Sequence, residues 1–153
     1  MNQFFSTLLL VTGLVAATAC SKKENSVAPT PALPVVSGTF SGAQEVPAVT
    51  TTATGNFSGT YDKSSMELKY TVTFSGLTPT AGHLHTGAPG VSGPVFLPFP
   101  FNNAAGTGFV SPITGTTTLT AAQATSLLGN AVYANLHTAA KPGGEIRADL
   151  TVK

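Results

Sequence analysis

The stretch Gly55–Leu77, GNFSGTYDKSSMELKYTVTFSGL, decides the fold. In its second half Leu68, Tyr70, Val72 and Phe74 alternate with Glu67, Lys69, Thr71 and Thr73. Successive side chains of an extended strand point to opposite faces, so the pattern sets one apolar face on a core and one polar face in water. Asn56–Tyr61 precedes it, and Asp62–Ser65 offers turn residues between the two. The stretch therefore predicts a β-hairpin whose second strand starts at Met66.

Upstream, VVSGTFSGAQEVPAV predicts a first strand carrying Val36, Thr39 and Phe40 that closes in an irregular loop at Pro47. Downstream, Thr78–Pro94 reads TPTAGHLHTGAPGVSGP. On a strand the i, i+2 spacing of His83 and His85 turns both imidazoles to one face and Leu84 to the other. Gly87, Pro89, Gly90, Gly93 and Pro94 then end the strand in an irregular loop. PVFLPFPF is apolar but interrupted by Pro94, Pro98 and Pro100, which marks an edge strand or a covering loop. A Thr-rich strand, Ile113–Leu119, follows.

One helix is expected. Thr120 and Gln123 form a capping-box pair, and Gly129 follows Leu127 and Leu128 as a stop. Beyond it AVYANLHT reads as a strand with Tyr133, Asn135 and His137 on one face and Val132, Ala134 and Leu136 on the other. After a turn at KPGG, the last strand sets Ile146, Ala148, Leu150 and Val152 against Glu145, Arg147, Asp149 and Thr151. Seven or eight short strands with one short helix predict an all-β, antiparallel Greek-key sandwich.

The chain has 153 residues, enough for one domain, with 8% charged residues and a formal net charge of +1. That balance leaves no electrostatic footprint for nucleic acid. The single cysteine, Cys20, excludes an internal disulfide. It follows an apolar run, Phe4–Ala19, which is too short for a transmembrane helix and reads as a secretory signal. The arrangement resembles the bacterial lipoprotein signal, in which the cysteine is lipidated and becomes the first residue of the mature chain. The alternative is an ordinary cleaved signal that leaves a free thiol. The segment from Ser21 to Val36 is polar, then Pro-rich, and reads as an extended tether. The layout is thus a signal over 1–19, Cys20 and tether over 20–36, and a sandwich over 37–153.

His83, His85 and His137 are the only histidines and the most distinctive chemistry available. If the polar face of the late strand confronts that of the His-x-His strand, three imidazoles suit a borderline ion such as copper or zinc and leave an open position for water or another ligand. The competing reading fixes these rings, with Asn135, by hydrogen bonds to loop backbone at the end of the sandwich. Glu45 offers a further ligand or, with Glu145 and Arg147, a partner that orients an imidazole from behind; the alternative is a buried Glu–Arg pair tying the first and last strands together. No strand-turn-helix elbow presents a nucleophile, so no catalytic residue is assigned and an enzyme is less expected than a binding module.

Four pieces, SGAQEVPAV, LTPTAGHLHTGAPGVSGPV, NAVYANLHT and PGGEIRADL, resemble the CHRD domain, in its order, from Ser37 to about Leu150. Ala148-Asp149 stands where a Gly-Gln pair is usual. The resemblance implies an immunoglobulin-like sandwich without an established enzymatic activity. The sequence "Gly-Leu turn, His-x-His, Gly-rich loop" is also similar to copper/zinc superoxide dismutases, whose paired histidines bind copper. There His83 and His85 match the pair and His137 a late ligand, while three histidines in total are too few for a two-metal site. The expectation is a lipid-anchored, extracytoplasmic CHRD-type protein of the bacterial envelope, held to the membrane and meeting a protein or surface ligand, not nucleic acid. Its alternative is a copper- or zinc-binding protein or dismutase-like metalloenzyme.

Overall fold

The computed structural model describes residues 32–153. The signal run, Cys20 and most of the tether lie outside them. Among the described residues, antiparallel strands form two sheets, with one short α-helix between strands and a single 3-10 turn over Gly42–Gln44. In chain order they are β1 (Val35–Phe40), β2 (Thr54–Asp62), β3 (Glu67–Ser75), β4 (Ala81–Thr86), β5 (Val95–Pro98), β6 (Ile113–Thr118), α1 (Ala121–Leu128), β7 (Val132–His137), β8 (Ile146–Asp149) and β9 (Thr151–Val152). The five-stranded sheet runs β6-β3-β2-β1-β9 and the four-stranded sheet β5-β4-β7-β8. No described helix is long and apolar enough to cross a membrane.

The predicted hairpin is β2–β3, paired from Thr54↔Ser75 to Asp62↔Glu67. Its turn is held by the Asp62 carboxylate, which accepts from the Ser64 amide and hydroxyl. Met66 occupies the left-handed position there at φ 56, so the strand begins one residue later than the alternation suggests. Leu68 and Val72 are fully buried, whereas Phe74 is only half-buried near the sheet's end. The inward faces of both sheets share one core, in which Phe57 stacks on Tyr70 and Tyr70 meets Phe99.

The proline-interrupted segment is the edge strand β5, paired with β4. Helix α1 carries the capping box in full: Gln123 N–H donates to Thr120 Oγ1, and Thr120 N–H donates to Gln123 Oε1. It buries Ala124 and Leu127.

One expectation is corrected at the C-terminal end, where the single last strand is two. β8 pairs with β7 in the four-stranded sheet, and β9 pairs with β1 in the five-stranded sheet. Between them Leu150 donates its N–H to Val132 and stays in the core. The chain changes sheets at a corner while its apolar residues keep facing the same interior, so the alternation passes through unbroken. β1 also begins at Val35 and buries Val36 completely, so the sandwich starts ahead of Ser37.

Candidate metal centre

β4 and β7 lie side by side, with Ala81 opposite His137, His83 opposite Asn135 and His85 opposite Tyr133. On both strands the alternate residues Leu84, Ala134 and Leu136 go to the core. The imidazoles therefore occupy the outer face of the four-stranded sheet rather than the end of the sandwich. His137 sits diagonally from His83, and Asn135 lies between all three rings. Diagonal neighbours are within reach of long and aromatic side chains. One ligand nitrogen from each of His83, His85 and His137 falls within 4.8 Å of the others.

The outer face is roofed by loops. His85 Nδ1 stands 2.9 Å from the Gly93 carbonyl, and His137 Nδ1 stands 3.0 Å from the Pro142 carbonyl. A carbonyl oxygen only accepts, so each Nδ1 carries the proton and, in the neutral ring, each Nε2 holds a lone pair. Both Nε2 atoms stand 3.0 Å from Asn135 Oδ1. His83 Nδ1 lies 3.1 Å from His137 Nε2. Burial, and then the neighbouring rings, hold His83 below the ordinary imidazole range. Burial lowers His137 as well, against the Pro142 carbonyl, which raises it. Both shifts favour the neutral form, which is the ligating form.

The roof depends on glycine. At Gly93 a Cβ would overlap the Thr86 carbonyl, so only glycine lets the loop return close enough to present its carbonyl to His85. Tyr133 supports the same point, accepting from Gly93 N–H at 3.1 Å. Its ring stacks on His85 with centroids 4.6 Å apart. On the ring's other face lies the Arg147 guanidinium, 3.5 Å from the centroid.

Arg147 is fully buried, and its partners correct the expected Glu–Arg pair. It binds Asp149 at 2.7 Å and donates to the carbonyls of Ala88 and Val91, clamping the glycine loop to β8. Glu145 turns away to accept from the hydroxyls of Thr51 and Thr138. The tie between β1 and the C-terminal strands is made instead by the β1–β9 pairing, by Ser41 and Arg147, which exchange both backbone N–H···O bonds, and by the Gln44 side-chain Oε1, which accepts from Asp149 N–H.

Glu45 orients no imidazole; the Gly93 and Pro142 carbonyls take that part. Its carboxyl lies against Gly144, where a Cβ would come within 2.5 Å of Oε1, and it lines a cleft with Val46, Pro47 and Pro142. Oε1 is buried without a hydrogen-bond partner among the described residues. Burial pushes this carboxyl up to about 7, with Arg147 opposing.

Sequence reasoning expected the rings to bond loop backbone, as they do at Gly93 and Pro142, without naming those two carbonyls, and it missed the Tyr133–Arg147 stack. A signal for the carbonyls existed: a Gly/Pro turn follows each histidine strand and brings the chain back over it.

Two antiparallel sheets over one core, with a polar, loop-roofed outer face on the four-stranded sheet, define an all-β sandwich. Residues 36–150 match the model of the CHRD domain, and the chain belongs to that family. No curated protein and no solved structure matches it.

Proposed function

We propose that this chain is a lipid-anchored, extracytoplasmic binding module of the bacterial envelope that holds a copper or zinc ion between His83, His85 and His137. One observation carries the metal reading. The carbonyls of Gly93 and Pro142 fix the protons of His85 and His137 on Nδ1, which leaves both Nε2 lone pairs converging beside His83. Ligating histidines almost always donate their other N–H to such a partner. Three nitrogen donors suit either ion, and the site is set on two paired strands, a rigid support. The anchor rests on the apolar run before Cys20, and it leaves the sandwich free to meet a protein or surface ligand through its exposed loops.

Calorimetry of the full chain in detergent with Cu(II) and Zn(II) tests the ion. One equivalent is expected to bind, with His85→Ala weakening it by about tenfold or more. Equal, weak binding by both proteins would mean that the three rings are structural.

A further inference from the structure

The amide of Asn135 has a place in this site that its burial alone does not explain. Its Oδ1 faces the Nε2 atoms of both His85 and His137 at 3.0 Å, and the side chain is 3% exposed. With the Nδ1 protons held by Gly93 and Pro142, an oxygen there confronts two lone pairs. Three arrangements relieve that conflict. Both rings could carry a second proton, the amide could turn to offer its NH2 to both nitrogens, or a cation could sit among the donors. Two charged rings are disfavoured because His137 already lies 3.1 Å from His83 in a half-buried cluster.

The distances favour the last two in turn. An ion bound tetrahedrally at 2.0–2.1 Å from its ligands separates neighbouring donors by about 3.3 Å. The edges His85 Nε2–Asn135 Oδ1, His137 Nε2–Asn135 Oδ1 and His83 Nδ1–His137 Nε2 measure 3.0, 3.0 and 3.1 Å. Half of a tetrahedron's edges are thus near the required length, and Asn135 supplies one corner.

We infer that Asn135 is the fourth ligand: its Oδ1 completes a three-nitrogen, one-oxygen set that closes the ion to outside ligands. This rests on the metal reading above and deepens it. Without an ion the same amide turns its NH2 to the Nε2 lone pairs of His85 and His137, so those two nitrogens have a partner in either state. Structural zinc sites are closed in this way, whereas catalytic sites keep a position for water or substrate. The consequence is a site that holds its ion rather than turning over a ligand on it.

Co(II), which takes zinc sites and absorbs in the visible, reads the coordination directly when added to the full chain. With azide as a competing ligand, the wild-type spectrum is expected to stay unchanged. In Asn135→Ala the vacated corner admits azide and the bands shift. Asn135→Asp, nearly isosteric, is expected to exclude azide and to hold the ion more tightly. Side-chain amide NMR gives a second reading, since the Asn135 NH2 signals must move when Zn(II) is added. If the wild type takes up cobalt and azide shifts its spectrum as in Asn135→Ala, the fourth-ligand role is wrong while the metal site stands. If no ion is taken up at all, both fall. Should Asn135→Ala fail to fold, Asn135→Asp and the wild-type azide titration still decide it.

Discussion

His83 and His137 are 54 positions apart in the chain and 3.1 Å apart in space. That approach makes ion binding a competition with protons. Burial lowers both rings from the ordinary imidazole value of 6.5, so they stay neutral, and able to ligate, somewhat below it. Zn(II) affinity should therefore be level at neutral pH and fall in acid, as His83 and His137 take protons in place of the ion. Calorimetry at pH 7.5, 6.5 and 5.5 measures it. An affinity unchanged across that range would rule out the histidines as ligands.

Glu45 should make the fold less stable as pH rises from acid to neutral. Its carboxyl is raised from 4.5 to about 7 by burial, so between those values the native state binds a proton that the unfolded chain has released. The stabilisation is fully present below pH 4.5 and is lost as pH rises through about 7. Glu45→Gln keeps the shape and cannot ionise. It should be near neutral at pH 5 and stabilising at pH 8, by on the order of 1–3 kcal/mol. Urea unfolding at the two pH values checks this; equal effects at both would contradict it.

Arg147 should be among the most costly positions to change. Its guanidinium is buried against Asp149, the carbonyls of Ala88 and Val91, and the Tyr133 ring. Arg147→Ala is expected to lose about 3–5 kcal/mol, the usual cost of breaking a buried pair. Arg147→Lys should recover only part, because an ammonium cannot reproduce the planar fork. Amide exchange would locate the damage: faster exchange over 87–94 is expected, and unaltered protection there would deny the clamp.

Cys20 lies outside the described residues and is tested in cells. Replacing it with Ala should release the protein from the membrane fraction or block its processing, since stable anchoring needs more than one acyl chain and the lipoprotein cysteine carries several. A Cys20→Ala variant that fractionates with membranes as before would remove the anchor from the reading.

Much of this molecule was legible in the order of its residues. The alternation through Leu68, Tyr70, Val72 and Phe74 defines a half-buried strand whatever its neighbours, because strand geometry has a period of two. Thr120 and Gln123 cap a helix by bonds within one turn, and His83 and His85 share a face by the same period. These are local consequences of covalent geometry. The meeting of His83 with His137 is not local: it depends on β7 lying beside β4 in one particular register, which a shift of one residue would invert. Nor could sequence show that the last strand changes sheets at Leu150, since both sheets face one core and the alternation is identical either way. Arg147 prefers Asp149 and two loop carbonyls over either glutamate for the same reason, as partners for a buried charge are chosen by which groups the folded layers bring within reach. The residues set the faces; the pairing of the strands decided which faces met.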